Sequence, residues 1–308
     1  MARRIVGLLL IIAGLLFCLV PLSAHEYQAL SGQRRLQAYL NDLERADPAD
    51  LAAERRQAEE FNESFEQTGE GTRDPFDTEV DFGPSDVKPL SDVYGYLVIP
   101  SIDVNLPLYL GATNEHLSRG VAQVDGTSLP VGGIGSRSVI AGHNGGYSNH
   151  YLLFIDRLQP GDRIYVVAQG ALLVYEVYDS EVILPTEWEK LAAVDGQDTL
   201  TLLTCTPIPV NSHRLLVDAR RVLPASPAES VGDNTEQLRA DLAEARAVPA
   251  APGTAAWRWA TRIAIVVLTV GLLWTLVRLA RAVREVVRSP EAVTDAPADG
   301  PAEQDSAR

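Results

Sequence analysis

Cysteine is nearly absent from this sequence, with two among 308 residues, Cys18 and Cys205. Cys18 lies in an apolar run near the N-terminus, so Cys205 has no partner for an internal disulfide in the rest of the chain. The single thiol and the scattered histidines also lack the spacing of metal ligands, so no metal or other cofactor is expected. A cysteine left over in this way is a candidate reactive thiol.

Basic residues are also scarce relative to acidic ones, 26 against 41, which gives a formal net charge of -15. A chain this acidic repels a polyanion, so nucleic acid is excluded as an expected partner. The acidic residues are spread through the linkers and the tail, which indicates a solubilising role and not a site.

Charge is missing altogether from residues 5–22 and 263–277. Both stretches are candidate membrane spans, since crossing a bilayer takes about 20 apolar residues. Arg3 and Arg4 precede the first, and an arginine cluster follows the second (Arg278, Arg281, Arg284 and Arg288). The positive-inside rule then predicts that both termini are cytoplasmic and that the residues between the two spans face outward.

A cleaved signal peptide is the alternative interpretation of the first run. Cleavage sites follow a small-x-small pattern, and Leu22 stands two residues before Ala24, which fits that pattern poorly. A lipoprotein signal at Cys18 is disfavoured by the bulky Phe17 that precedes it. We therefore expect an uncleaved N-terminal anchor.

Glycine is absent between Gly32 and residue 67, and leucines recur at helical spacing from Leu36 to Leu43. This pattern predicts amphipathic helices, which Pro48 divides in two, with Asp47 or Asp50 capping the second.

From Val93 onward the pattern changes to short β runs separated by turn residues. Closely spaced strands without long helices between them predict a mainly β domain, a barrel or a sandwich. The predicted strands are residues 94–99, 106–110, 138–141, 163–168, 172–178, 199–204 and 215–217. One short helix is expected from Thr235 to Ala247.

The chemistry-bearing residues lie at the ends of these runs. Cys205 closes one strand, His143 follows another, and His213 and Arg214 begin the next. An imidazolium favours the reactive thiolate, and a guanidinium can hold a developing oxyanion, so the set fits acyl transfer. Taken one at a time, these residues have plainer interpretations: a buried small hydrophobe, structural histidines and a surface arginine.

Longer motifs strengthen the catalytic interpretation. Thr201-Leu-Leu-Thr-Cys205 resembles the TLxTC signature of sortases, and residues 211–217 resemble the arginine-bearing strand that follows it. Residues 95–100, 106–108, 126–133 and 139–143 are similar, in order and spacing, to the class C, pilin-polymerising branch. Arg73-Asp-Pro-Phe76 resembles the lid motif of that branch, and the second membrane anchor is also typical of it.

This resemblance implies an eight-stranded sortase β-barrel. Cys205 would be the nucleophile, His143 the general acid and base, and Arg214 the oxyanion or substrate-positioning group. Thr204 would help to position the substrate, and His213 would have no catalytic role.

The lid of Asp74, Pro75 and Phe76 would cover the groove, with Asp74 paired to Arg214 and Phe76 against Cys205. Two departures from the branch, Asn144 after the histidine and Ile208-Pro209 after the cysteine, affect substrate preference and leave the catalytic set intact.

The expected reaction is cleavage of an LPXTG-like signal and transfer of the acyl group to a pilin lysine, at the outer face of a Gram-positive cell membrane. The alternatives are attachment of surface proteins to peptidoglycan, and a non-catalytic pilin-binding scaffold. The expected regions are an anchor (1–24), a helical stem (25–67), a lid loop (68–90), the barrel (91–222), a linker (223–256), a transmembrane helix (257–282) and an acidic cytoplasmic tail (283–308).

Overall fold

The computed structural model describes residues 2–65, 72, 74–76, 91–145, 151–222, 235–246 and 254–288. By its internal contacts the chain divides into two units. One unit comprises Met1–Ser23 and Ala260–Arg308, and the other is Ala24–Trp259. All the described strands belong to the second unit.

The N-terminal helices are α1 (Ala2–Arg45) and α2 (Pro48–Ser64). They part where the sequence predicted, at Pro48, which lies in the first turn of α2, where a residue without an amide hydrogen is tolerated. The side chain of Asp47 caps α2 by accepting a hydrogen bond from the Ala49 amide at 2.8 Å. The predicted separation at Pro48, and one of the two predicted caps, are therefore seen in the structure.

The barrel contains eight strands and one short helix, α3 (Asn114–Arg119). The strands are β1 (Gly95–Ile99), β2 (Val104–Leu110), β3 (Val121–Gln123), β4 (Ser136–Ala141), β5 (Arg163–Ala168), β6 (Ala171–Ile183), β7 (Asp198–Thr206) and β8 (His213–Arg221). The sequence pattern did not predict β3, because three residues are too few to show alternation between apolar and polar side chains. It also ended β6 five residues early, because the later part of that strand is polar and partly exposed.

The sheet closes in the order β1-β2-β3-β4-β7-β8-β6-β5. Most neighbouring pairs are antiparallel, but β2 pairs with β3, and β4 with β7, in parallel. The predicted eight-stranded barrel is confirmed.

Alternation along each strand divides the residues between two faces. In β7, Leu200 and Leu202 point into the barrel core, while Leu203 belongs to a second apolar cluster on the outside. In β8, Val217 lies in the core and Leu216 in the outer cluster. We call the outer face of β4, β7 and β8 the floor, because the candidate site lies on it.

A third apolar cluster joins helices to the barrel wall formed by β1 and β5. Leu36 and Leu40, one helical turn apart on α1, are 0% and 1% exposed against this wall. Leu238 and Leu242 of α4 (Thr235–Arg246) join the same cluster. The helix predicted within the 223–256 linker therefore packs on the barrel.

Within the described residues, two helices are long and apolar enough to cross a membrane, judged by length and composition. The first candidate span is Arg3–Val20 within α1, and the second is Trp259–Glu285 within α5 (Thr254–Arg288). Both fall where the sequence predicted spans. The division into seven regions stays a prediction.

Candidate active site

The pairing of β7 with its two neighbours brings the distant candidate residues together. Cys205 on β7 lies directly opposite Arg214 on antiparallel β8. On the other side, Ala141 of parallel β4 lies opposite Leu203. His143 follows Ala141 by two residues and so leaves β4 at the level where β7 carries the thiol. Parallel strands end at the same edge, which is why a histidine after β4 and a cysteine near the end of β7 meet.

The alternation of side chains along β7 and β8 also shows on which face of the sheet each candidate catalytic residue lies. Cys205 and Arg214 share the parity of Leu203 and Leu216, so both lie on the floor, outside the barrel. His213 has the parity of Leu215, which points into the core. Its ring nitrogen Nδ1 lies 2.9 Å from the hydroxyl of Ser212. The structure therefore brings Cys205 and Arg214 to one face and turns His213 to the other side of its strand.

Hydrogen bonds continue the contact between β4 and β7 beyond their last paired residues. The Gly142 amide donates to the Leu203 carbonyl at 3.1 Å, and the Thr204 hydroxyl donates to the Gly142 carbonyl at 2.7 Å. The side-chain amide of Asn144 then donates to the carbonyl of Cys205 at 2.8 Å. These bonds flank His143 on both sides and fix its backbone against the strand that carries the thiol.

Gly142 is required at this junction for steric reasons. A Cβ there would lie 2.9 Å from side-chain atoms of both Leu152 and Val121, closer than real Cβ contacts allow. Leu152 also donates its amide to the carbonyl of His143 at 2.9 Å. Leu152 therefore lies close against the end of β4.

Thr204 is fully buried, and its hydroxyl is engaged by Gly142. In this arrangement it links the two catalytic strands, and its predicted role in substrate positioning stays a prediction. Asn144 was noted in the sequence only as a departure from related chains. Its place directly after His143 was the available signal that it would contact the cysteine strand.

A segment from outside the barrel covers the floor. Asp74 contacts the guanidinium of Arg214 with both oxygens, one of them 3.1 Å from Nε. The ring of Phe76 lies 5.6 Å from the ring of His143 and 5.4 Å from the Arg214 guanidinium, centroid distances in both cases. Phe76 therefore packs against His143 and Arg214, two of the three candidate catalytic residues. Asp74 forms an ion pair with the guanidinium of Arg214.

The covering segment has an internal bond and a second attachment. The Phe76 amide donates to Asp74 Oδ1 at 3.1 Å, a turn in which an aspartate carboxylate accepts from the backbone two residues on. Before it, the Thr72 hydroxyl donates to the Gly126 carbonyl at 3.3 Å. We call Asp74, Pro75 and Phe76 the cover; Arg73, part of the predicted lid motif, lies outside the described residues.

The environment keeps the thiol protonated. Cys205 is 8% exposed, and burial raises the pKa of its thiol to about 11. The positive charge of Arg214 lowers this pKa, and the negative charge of Asp74 raises it. Burial also lowers the pKa of His143, which favours the neutral imidazole. The covered site therefore holds a neutral thiol beside a neutral imidazole.

Among the described residues, no group of three or more His, Cys, Asp or Glu side chains is arranged to hold a metal ion. The chemistry that the site offers is that of a thiol, an imidazole and a guanidinium at the end of three adjacent strands.

Comparison with known proteins agrees with this geometry. Residues 97–222 match the Sortase domain family. The chain is 34% identical over 127 residues to Sortase A of Bacillus anthracis, an alignment that covers 41% of this chain and 58% of that protein. It spans between half and three fifths of the length of two curated relatives.

Solved structures match over nearly their whole length. Sortase C-1 of Actinomyces oris is 40% identical, with a TM-score of 0.53 over 56% of this chain and 98% of that one. Sortase C-1 of Streptococcus pneumoniae is 34% identical, with a TM-score of 0.58 over 61% of this chain and 98% of that one. The chain belongs to the sortase family, whose members are cysteine transpeptidases.

Proposed function

We propose that this protein is a sortase that cleaves an LPXTG-like sorting signal and transfers the acyl group to an amine. The observation that carries the proposal is the pairing of Cys205 with Arg214 on one face of the barrel, with His143 held against the end of the same strand. Nucleophile, acid–base group and oxyanion partner are thereby at one edge of three neighbouring strands.

The reaction follows from the roles these groups can take. His143 removes the proton of Cys205, and the thiolate attacks the Thr–Gly carbonyl of the signal. The Arg214 guanidinium stabilises the tetrahedral oxyanion, a task for which it must first be released by Asp74. The imidazolium then gives its proton to the departing glycine amine, leaving a thioester on Cys205.

The second half reverses these proton transfers. An incoming amine attacks the thioester carbonyl, and His143 accepts the proton that the amine loses. Collapse of the second tetrahedral intermediate expels the Cys205 thiolate, which takes the proton back from the imidazolium, and leaves a new amide bond. Atoms balance because one amine replaces another on the same acyl group.

Pilin polymerisation is the form of this reaction that we favour, with a lysine of a second pilin as the amine. One related structure is described as a pilus-related sortase C of Group B Streptococcus, and another in terms of pilin substrate specificity. The cover over the floor also supports it. Attachment to peptidoglycan is the second candidate, since the curated relatives are named Sortase A.

We further propose that the protein acts at the outer face of a Gram-positive cell membrane, anchored by the spans in α1 and α5. The candidate spans Arg3–Val20 and Trp259–Glu285 support two anchors. The arginines at the N-terminal end of the first span and at the C-terminal end of the second support cytoplasmic termini.

The test is the covalent intermediate. Incubation with a sorting peptide should add the acyl group to Cys205, detected by mass analysis, and Cys205→Ala should abolish the adduct. A persistent adduct in that variant, or one that maps to Cys18, would refute the proposal. Products formed with a pilin and with a peptidoglycan amine then distinguish polymerisation from cell-wall attachment.

The histidines provide a matched control. His143→Ala should lower turnover by about 10² to 10⁴-fold, the usual contribution of a general acid–base group. His213→Ala should have a much smaller effect, because that ring is on the other side of its strand. The opposite ranking would show that the assignment of the imidazole is wrong.

A further inference from the structure

Each of the two candidate membrane spans has one narrow stripe of residues that are less exposed than their neighbours. On α1 the less exposed residues are Gly7 and a set that recurs every three or four positions: Ile5, Leu8, Ile12, Leu15, Leu19 and Leu22. On α5 the same spacing picks out Thr261, Ala264, Leu268, Gly271, Thr275, Leu279 and Ala282. An alternating spacing of three and four is the heptad pattern of helices that pack along a shared seam.

The opposite faces of both helices are open. On α1, Leu10 and Phe17 are 69% and 70% exposed, and on α5, Val270 and Leu273 are 60% and 58% exposed. These residues are as apolar as those of the stripes, so hydrophobicity alone does not select the buried face. Packing against a partner does.

The partner is visible at one point in the unit. A Cβ added to Gly271 would lie 3.9 Å from both terminal methyl groups of Leu15. These two residues lie near the middle of their spans, and both belong to the less exposed stripes. In a membrane, small residues such as glycine allow helices to approach closely, and packing replaces the hydrophobic effect as the force that joins them.

We propose that the spans of α1 and α5 form an antiparallel helix pair within the bilayer, seated on these two stripes. The inference rests on the membrane anchoring proposed above. In that topology α1 begins and α5 ends on the cytoplasmic side, so the two helices must cross the membrane in opposite directions. Starting from Leu15 on Gly271, that direction pairs Ile12 with Thr275 and Leu8 with Leu279.

The remaining stripe positions follow the same register, with Leu19 on Leu268 and Leu22 on Ala264. Ile5 falls on Ala282 in this register, so every residue of the α1 stripe finds a stripe residue on α5. A segment that packs on another helix along its whole apolar length belongs to the folded protein. By this proposal the N-terminal span is a retained anchor and not a removed leader.

Disulfide trapping in the full chain in native membranes tests the pair. Cys18→Ala and Cys205→Ala first remove both native thiols. Leu15→Cys with Gly271→Cys is the seam pair, and its new Cβ at position 271 fits because 3.9 Å is an ordinary contact distance. Phe17→Cys with Val270→Cys is the control pair on the open faces. Oxidation should link the seam pair within the monomer and leave the control pair unlinked.

A second set of cysteine pairs tests whether the two helices run antiparallel. Leu8→Cys should link to Leu279→Cys, whereas a parallel pair would link Leu8→Cys to Ala264→Cys. The parallel product, a product of dimer mass, or a mature chain that lacks residues 1–24 would each overturn the proposal.

The outcome separates this inference from the anchoring itself. Chains that stay in carbonate-washed membranes but never cross-link would refute the helix pair and leave the anchors in place. Chains that carbonate extracts would refute the anchoring.

Discussion

Two buried arginine–aspartate pairs lie on the same floor of the barrel, and they differ in what carries the acid. Arg137 of β4 pairs with Asp218 of β8 at 2.7 Å, with side chains 6% and 10% exposed. Arg214 of β8 pairs with Asp74 of the cover, with side chains 7% and 14% exposed. The register places Asp218 four residues beyond Arg214 on β8, with Leu216 between them on the same face.

The first pair is tied into the sheet on all sides. Arg137 Nε donates to the Thr201 hydroxyl at 2.9 Å, and that hydroxyl donates to Asp218 at 2.6 Å. Arg137 Nη1 donates to the carbonyls of Lys190 and Ala192, which lie between β6 and β7. One guanidinium therefore joins three strands and a loop.

The second pair has only one member on the barrel. Arg214 Nη1 donates to the carbonyls of Asn211 and His213, each at 2.9 Å, and these bonds remain if Asp74 departs. A buried ion pair is costly to break when water cannot replace the lost partner. The cost is smaller when the partner belongs to a segment that moves away and lets water reach the remaining charge. The same type of ion pair is therefore a permanent cross-link between strands at Arg137–Asp218 and a releasable contact at Arg214–Asp74.

The largest expected effect is on stability. Asp218→Ala should lower the free energy of unfolding by about 3 kcal/mol, because Arg137 would keep its charge in a site with no movable covering. Asp74→Ala should change it by about 1 kcal/mol or less, since Arg214 then meets water. Denaturant titrations of both variants make the comparison, and equal losses would mean that the two pairs are not different in kind.

The next effect is on access to the thiol. Replacing Asp74 and Phe76 with alanine should speed reaction of Cys205 with a thiol reagent by about tenfold for each 1.4 kcal/mol of closure lost. Burial of one aromatic ring contributes about 1.5 to 3 kcal/mol at most, so the cover is closed most of the time and opens readily. The measurement is the labelling rate against that of the parent protein.

A matched control is the double variant Asp92→Ala with Phe154→Ala. It also removes an acid and an aromatic that contact arginines, Arg119 and Arg157. Its labelling rate should equal that of the parent. If the cover variant also labels at the parent rate, the segment does not restrict the thiol.

A smaller effect concerns pH. Asp74→Asn removes the charge that raises the pKa of Cys205 and keeps Arg214, which lowers it. Since the thiolate is the reactive form, the midpoint of the labelling rate against pH should move below that of the parent, whose thiol has a pKa of about 11. A uniform acceleration with no shift of the midpoint would show that Asp74 acts by steric covering alone.

The smallest effect tests the ladder between β4 and β7 at its two ends. Thr204→Val removes the hydrogen bond to Gly142, and Thr199→Val removes a similar bond to the Ser136 carbonyl at 3.2 Å. Each should cost about 0.5 to 1.5 kcal/mol of stability. Only Thr204→Val should also slow thioester formation, because only that end holds the loop of His143, and Thr204→Ser should restore the rate. Equal kinetic effects of the two valine variants would remove this role from Thr204.

The sequence by itself determined the local features. The strand over 163–168 has its predicted bounds, since a continuous run of β-favouring residues and the flanking glycines act on neighbouring residues. The break at Pro48 and the cap at Asp47 are equally local, because ring geometry and one short hydrogen bond decide them. The isolation of Cys205 and its place near a strand end were also readable from the chain.

Only the tertiary structure decided which distant residues share the floor. Arg137 and Asp218 are 81 residues apart, and Asp74 and Arg214 are 140 apart. Their contact depends on strand order and register, and a slip of one residue would turn every side chain of a strand to the opposite face. No local pattern encodes that register. It is fixed by closure of the whole barrel, which is also why the three-residue β3 became visible only beside its partners.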